Sequence, residues 1–496
     1  MSYNTVISLK VHVFQFIEGS VKDHGSEFEI KIFQNKNFDG RFQLVQSFSQ
    51  EIVLEAAIRD ILNVQYVSAE QKAFFDVRFN NKIHNFAIVF SNDRDLRAFV
   101  QAYTKVSFEN NERRPVDESD AEDILRYMSY LSLDDQKPTG DEQTVRPVEY
   151  TTTGRSDTGR NIILQSSERR GDALVLRKYD SKCSVGMFDI NDNCKFLQAI
   201  PTLQTDIGTT LLAKDMLRFN DEKSLYLLDD NNEKTIYNLD LNRGDVISHF
   251  DTSYNGAPQT VLKILPASDG NDESTFLGFN SRNTLRFDPR IEQLAEKSDY
   301  KSDNKFTSGK ASYSGKLAMG SANGILRLYS APCKNRATTQ FQVNVGDQPI
   351  TCIDISIDEE WVVTASPYYI SLVNTLIRSS GKLAFNAAMG REKPPCMRLV
   401  INPEHQQILA KYHGGDIPVF SSVKFESRGA KPIAIVATIG TAIVSWDFKR
   451  IIEGKRPTYS ISLIGGEVLV DNKPIEKTRD ILFMSENQIN FVNMHK

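Results

Sequence analysis

The sequence predicts a mainly β protein: a small β-rich domain, an acidic connecting segment and a seven-bladed β-propeller. Three observations carry that expectation. Apolar and polar residues alternate with period two near the start, and residues 109–142 hold eleven acidic against four basic residues. From residue 148 onward, hairpins recur every ~40 to 50 residues, the interval of a four-stranded propeller blade.

Length and composition bound the answer. A chain of 496 residues exceeds one ordinary core, so two or three domains are expected. Its 40% hydrophobic and 25% charged content is that of a folded protein. A formal charge of −5 without a basic stripe excludes the usual nucleic-acid surface. Met1 to Lys10 alternates instead of running apolar, which predicts no secretory signal. Pro432 to Trp446, the most apolar stretch, is interrupted by Gly440 and reads as two buried strands around a turn, too short to span a membrane. Cys183, Cys194, Cys333, Cys352 and Cys396 are widely and irregularly spaced, and there is no Asn-x-Ser/Thr sequon. These features predict small buried thiols in a reducing, cytoplasmic setting.

The first unit is expected over residues 1–108. Strands are predicted at Val6 to Phe14, Phe28 to Phe33, Phe42 to Val45, Ala73 to Phe79 and Ile83 to Phe90, and a short helix over Ile52 to Leu62. Asn92 or Asp93 can cap a helix with the apolar stripe Leu96, Phe99, Val100 and Tyr103. Strands closed by one C-terminal amphipathic helix resemble a pleckstrin-homology-like barrel. The first hairpin loop, Glu18 to Glu27, mixes Lys22 and His24 with Glu18, Asp23 and Glu27. A phosphoinositide pocket wants clustered Lys and Arg, so protein binding or a structural role is favoured there.

Residues 109–147 are expected to form the linker, extended by self-repulsion, with Ile124 to Leu133 either a short helix that docks on something or a clip on the chain's own propeller. The propeller is expected over 148–496. Its hairpins end on strands such as Val185 to Asp189, Thr235 to Asp240, Leu285 to Asp288, Ile325 to Tyr329, Ile370 to Asn374, Ala442 to Asp447 and Ile489 to Val492. Closing Asp or Asn residues are expected to hydrogen-bond the following turn, and Asn323-Gly324 to form a type I′ turn. One longer interval, from Val373 to Trp446, predicts an insertion around Ser379 to Lys393.

Several hairpins are more specific than blade texture. Thr275 to Phe279, Leu285 to Arg290 with its Asp288-Pro289-Arg290, Gly315 to Gly324 with Gly320 and Ser321, and Arg327-Leu328-Tyr329 stand in a characteristic order. Gly346 to Ile350, including Pro349, then Pro403-Glu404-His405 and Thr441 to Trp446 continue it. This pattern, across most of Arg160 to Val492, resembles the vacuolar import and degradation protein 27 family of fungi, with relatives in plants and protists. Ile325 departs from it, following the turn glycine where the family carries an acidic residue, and the extra N-terminal region of longer fungal members is expected to be missing. The resemblance implies a WD-repeat-like propeller behind a pleckstrin-homology-like segment, and a link to vesicle-mediated delivery of proteins for vacuolar degradation. It makes Asp288, Pro289, Gly320, Ser321, Gly324, Tyr329, Gly346, Pro349 and Trp446 structural motif positions.

No phosphate loop, dinucleotide fingerprint, nucleophile elbow or zinc-protease motif is present, and the seven histidines are scattered. His405, beside Glu404, is the best candidate base, and a turn histidine serving a backbone group is the better reading. No catalytic residue, cofactor or metal is therefore expected. Arg286, Arg290 and Arg327 are candidate anchors for a protein partner, with pairing inside the blade as the alternative for Arg290. The predicted function is a non-catalytic protein-interaction scaffold. Its rivals are a peripheral membrane adaptor and a propeller hydrolase with a site in the central funnel.

Overall fold

The computed structural model describes residues 2–133, 144–147 and 158–493, apart from 18–19, 80–81, 220–222, 269–273, 292, 299, 301–302, 344–347, 394–395, 415–417 and 454–458. Two β architectures follow one another. The first holds seven strands, β1 (Tyr3–Ile17), β2 (Ser20–Asn35), β3 (Gly40–Gln46), β4 (Ile52–Ala57), β5 (Ile61–Val67), β6 (Lys72–Phe79) and β7 (Lys82–Phe90). They form one antiparallel sheet in the order β4-β3-β2-β1-β7-β6-β5. Helix α1 (Asp93–Glu112) starts where Asn92 accepts the Asp95 N–H, and buries Leu96, Phe99, Val100, Tyr103 and Val106 against the sheet. At Gly40 a β-carbon would stand 2.5 Å from the Val106 side chain, so only glycine lets β3 run this close to the helix.

Two expectations fail in this domain. Ile52 to Leu62 is strand, a single 3₁₀ turn (Ile58–Asp60) and strand again. Leu54, Ala56 and Ile58 are buried in alternation, so period two outcompetes the helical spacing. The predicted loop Glu18 to Glu27 is mostly strand: β2 begins at Ser20, Lys22 pairs with Gln15 across the ladder, and Asp23 receives His12 at 2.6 Å.

The acidic segment is folded as far as Leu133 rather than extended. Glu109 is buried and accepts the Val116 N–H, and Arg114 grips Asp120 with two bonds of 2.6 and 2.7 Å. Each local ion pair removes the repulsion that was to keep the segment open. Helix α2 (Ala121–Tyr130) packs on α1 and not, as the alternative had it, on the propeller; it ends before Leu131, which is fully buried, so the helix expected over Ile124 to Leu133 is shorter at that end. Farther on, β8 (Thr144–Pro147) joins the propeller as a fifth, parallel strand on the sixth blade.

Seven sheets make the propeller. Blades 1 and 2 comprise Arg160–Ser167, Asp172–Lys178, Cys183–Asp189 and Lys195–Ile200, then Ala213–Phe219, Ser224–Asp229, Thr235–Asp240 and Asp245–Asp251. Blades 3 and 4 comprise Lys263–Pro266, Phe276–Phe279, Thr284–Asp288 and Gln293–Lys297, then Phe306–Ala311, Leu317–Ser321, Ile325–Tyr329 and Thr339–Gln342. Blades 5 and 6 comprise Cys352–Ile355, Trp361–Ala365, Ile370–Asn374 and Met397–Leu399, then Phe420–Arg428, Lys431–Ile439, Ala442–Asp447 and Tyr459–Leu463. Blade 7 has Leu469–Pro474, Ile481–Ser485 and Ile489–Val492 among the described residues.

The strand alternation builds the ring. Ser224–Asp229 is buried throughout; Leu225 and Leu227 fill the seam with blade 1, while Tyr226 and Leu228 fill the seam with blade 3. Clusters of this kind occupy all seven seams, and the last joins Ile475, Leu482 and Met484 of blade 7 to Leu164, Ala173 and Val175 of blade 1. No blade can bury both faces alone, so closing the ring is what completes the core.

Third strands close as expected. Asp189, Asp240, Asp288, Asn374 and Asp447 each accept a backbone N–H from the turn that follows. The blade 4 hairpin differs from expectation: Gly324 is left-handed (φ 72°) and Asn323 is not, with the Gly324 N–H on Ser321 O. It is a three-residue loop with glycine at the left-handed place, not a type I′ turn. The insertion in blade 5 contains a small hairpin (Leu376–Ile377 with Lys382–Leu383) and a 3₁₀ turn (Gly390–Glu392). A second one, helix α3 (Pro403–Tyr412), stands between blades 5 and 6, so His405 is helical and not in a turn. All five cysteines are free; Cys183, Cys194 and Cys396 are buried as expected, while Cys333 and Cys352 are only half-buried.

Candidate interaction surfaces

The three arginines singled out in the sequence each engage their own blade. Arg290 lies in the turn after the third strand of blade 3, 71% exposed, and donates to Asp288 through Nε at 2.9 Å and Nη2 at 2.6 Å. That guanidinium holds the Asp288 carboxyl below the usual carboxylate range. Arg286, two residues before Asp288, reaches Glu296 on the fourth strand at 3.3 Å. Arg327 holds the same third-strand place in blade 4, where it donates to Ser321 Oγ and lies over the Phe306 ring at 5.9 Å. The partners inside the blade thus set all three side chains.

The motif positions are packing positions. A β-carbon at Gly320 would stand 2.6 Å from both Ile350 Cγ2 and Ser308 Oγ, where the inner strand of blade 4 meets the entry to blade 5. Ser321 is fully buried, and its carbonyl accepts the Ile350 N–H, with the half-buried Pro349 just before. Tyr329 is buried against Tyr300, and Trp446 between Phe420 and Tyr459. Pro289 starts the turn that Asp288 caps, and Gly346 lies outside the described residues.

Polar groups on the inner strands stitch neighbouring blades together around the channel. Asp215 accepts the Ile264 N–H at 2.8 Å (blade 2 to 3), Asp354 the Phe425 N–H at 2.8 Å (5 to 6), and Asp471 the Ser422 hydroxyl at 2.5 Å (6 to 7). Burial pushes the Asp215 carboxyl up to about 6. Turns of neighbouring blades interlock as well. Ser312, Ser314 and Lys316 of blade 4 converge on Glu359 of blade 5.

Among the described residues, the histidines are apart from one another. His12 pairs with Asp23, His249 with Asp206 on an outer strand, and His405 Nδ1 lies 3.0 Å from the Tyr459 hydroxyl, which accepts the Asn402 N–H. Among the described residues, no three His, Cys, Asp or Glu side chains are grouped to hold a metal ion, and no helix is long and apolar enough to cross a membrane. On the N-terminal domain, Lys31, Lys72, Arg41 and Arg113 pair with Glu29, Glu70, Glu55 and Asp39 respectively.

The junction between the two units was not anticipated. Asn85 on β7, fully buried, donates to Asp76 Oδ1 at 2.6 Å and to Gln406 Oε1 of α3 at 2.9 Å, and accepts from Gln407. Arg78 lies over the Tyr368 ring at 4.9 Å. One apolar cluster also contains residues of the N-terminal sheet together with Leu326, Phe341, Ile353 and Phe385 of blades 4 and 5. Pro403 at the first helical position followed by Glu, Gln, Leu and Ala was the sequence signal for α3.

With this geometry in place, the chain can be set beside known proteins. The family described as the VID27 C-terminal WD40-like domain matches residues 161–496. Vacuolar import and degradation protein 27 of Schizosaccharomyces pombe is 24% identical over 344 residues, 67% of this chain and 42% of that protein. Its Saccharomyces cerevisiae namesake is 24% identical over 337 residues, 64% of this chain and 42% of its own length. The match therefore spans well under half the length of either relative. Among solved structures, the chain is similar to the WD40 domain of Neurospora crassa Pan2 (TM-score 0.47, 12% identity, 68% of this chain and 90% of that one). It is also similar to the β-propeller domain of Cps50 (Swd1) from Myceliophteria thermophila (TM-score 0.48, 10% identity, 69% and 99%). On the family match across two thirds of its length, the chain belongs to the vacuolar import and degradation protein 27 family.

Proposed function

We propose that the chain is a non-catalytic protein-interaction scaffold of the cytoplasm that serves vesicle-mediated delivery of proteins for vacuolar degradation. The single observation that carries the scaffold reading is how the channel's polar groups are used. Asp215, Asp354 and Asp471 hold neighbouring strands, while of the described propeller histidines His249 sits on a fourth strand and His405 on α3. A hydrolytic funnel needs such groups converging at one mouth with hydrogen-bonding capacity left for substrate. The vacuolar link rests on the family name of the relatives.

Partner loops are expected on the propeller, since loops positioned by a rigid scaffold carry binding in such folds. Cross-linking mass spectrometry of the full chain, captured with its partners under native conditions, tests this. Cross-links from the inter-blade loops between residues 201 and 468 support the reading. Cross-links confined to residues 2–133 would move recognition to the N-terminal domain.

A further inference from the structure

The edge of the N-terminal sheet at β5 is filled by the chain's own downstream segment. Tyr66 N–H donates to Leu131 O at 2.9 Å, and Leu133 N–H donates to Tyr66 O at 2.8 Å, with Tyr66 and Ser132 forming a parallel bridge. The Leu131 side chain is fully buried in the core that the sheet shares with α1. We propose that this edge is a strand-accepting interaction site whose partner is an extended peptide with a leucine-sized side chain, and that Leu131–Leu133 is its occupant in cis.

Two backbone hydrogen bonds and the buried Leu131 side chain hold the described part of the occupant, and Met128 of α2 packs on the same core. Helix α2 before it leaves Leu125 66% exposed and has no side-chain cap, since Asp120 is engaged by Arg114 instead. Backbone bonds along a sheet edge accept any extended segment, while a side-chain pocket selects among them. The cis occupant therefore specifies the chemistry of its competitor: extended, parallel to β5, with leucine at the Leu131 place. The same connecting stretch adds β8 in parallel to blade 6, with Ile461 opposite Val145, so strand addition is how it engages both domains. An open strand edge also invites pairing with other chains, which makes an occupant in the resting state a physical need.

This site is separate from the propeller surfaces of the proposed function and stands or falls independently of them. The test uses the full chain and a fluorescein-labelled peptide of its residues 124–136. If the cis segment fills the edge more than nine-tenths of the time, removing it raises apparent peptide affinity about tenfold or more. Leu131→Asp is expected to bind the peptide at least that much more tightly than the unaltered chain, and a peptide carrying the same Leu-to-Asp change is expected not to bind. Hydrogen exchange at β1 and β7 reports that the variant is folded. Should Leu131→Asp not fold, Leu133→Pro removes one backbone donor and leaves the leucine seated, and it too should gain affinity. The proposal is overturned if a folded variant ignores the peptide or accepts both peptides equally. It is likewise overturned if light scattering shows the variant pairing as a stable dimer, which would make a second copy the partner.

Discussion

Glu359 ties blade 4 to blade 5 through buried polar contacts, and its removal tests how the ring is held. The residue lies in the first turn of blade 5 in the left-handed region (φ 62°), with a side chain only 8% exposed. It accepts from Ser312 Oγ at 2.5 Å, Ser314 N at 3.1 Å and Ser314 Oγ at 2.5 Å, and pairs with Lys316, itself 15% exposed. Glu359→Gln keeps one oxygen for the serines and leaves the Lys316 ammonium without its counter-charge. Breaking a buried pair from one side costs about 3 kcal/mol or more. Unfolding entropy near 2.1 cal/mol/K per residue gives a propeller of about 340 residues roughly 0.7 kcal/mol/K, so the melting point should fall by about 4 °C. Burial opposes ionisation of Glu359, but Lys316 and the serine donors outweigh it and hold its carboxyl below the ordinary 4.5. A depressed folded value stabilises above the unfolded one, and that contribution is lost as pH falls through the folded value. The Gln variant should therefore melt closer to the unaltered chain in acid below pH 4.5 than at pH 7. Calorimetry at both pH values, with Lys316→Met and the double variant, completes a cycle. The double variant should recover much of the loss, because neither charge remains. A melting point lowered by less than about 1 °C at pH 7, or a double variant as unstable as the sum of the singles, would refute the reasoning.

Other perturbations separate the remaining contributions. Gly320→Ala forces a β-carbon into Ile350 and Ser308, both 2.6 Å away, and should cost about 1–3 kcal/mol in denaturant titration. Asp215→Asn should stabilise the chain at pH 8, because burial raises that carboxyl from 3.8 to about 6. The full shift corresponds to about 3 kcal/mol, felt above pH 6 and gone below about pH 4, as melts across that range would reveal. Asn85→Ala removes the 2.6 Å bond to the buried Asp76 together with those to Gln406 and Gln407 and should loosen the two units, read as faster hydrogen exchange in β7 and α3. Arg290→Ala, at 71% exposure, should change stability by no more than about 0.5 kcal/mol, and a loss of captured partners would then report recognition alone.

The blades were legible because their signal is local. In five blades the third strand ends on an Asp or Asn that caps its own turn, and Asp240 or Asp447 can be read within a few residues. Alternation likewise gave most strands of the first domain and the stripe of α1. Failures came where local signals competed. The apolar residues of 52–62 fit helical and strand spacings alike, and the sheet decided. Acidic residues after 109 read as repulsion because their pairing was invisible: Asp120 finds Arg114 only once the turn forms, and Glu109 finds a backbone N–H. The candidate arginines were identified as residue types, but their engagement with Asp288, Glu296 and Ser321 depends on cross-strand register. Least legible were contacts across hundreds of residues, such as Asn85 with Gln406, for which one sequence holds no local trace.

The seam between the last and first blades follows from the same logic. It must be closed by residues far apart in the chain, and apolar packing alone leaves the register of the two blades unspecified. Asn161 supplies that register, donating its backbone N–H to Glu486 O at 2.7 Å and its side-chain amide to Ser485 O at 3.1 Å. Arg177, nearly fully buried, donates to Glu486 O, Asn161 Oδ1 and Asn487 Oδ1 at 3.0–3.1 Å. One guanidinium thereby bridges both blades, its planar donors matching three acceptors in fixed directions, which a lysine cannot reproduce. A buried polar network of this kind is directional where the apolar cluster beneath it is not. The hydrophobic seams close the ring, and Arg177 with Asn161 determine the alignment in which it closes.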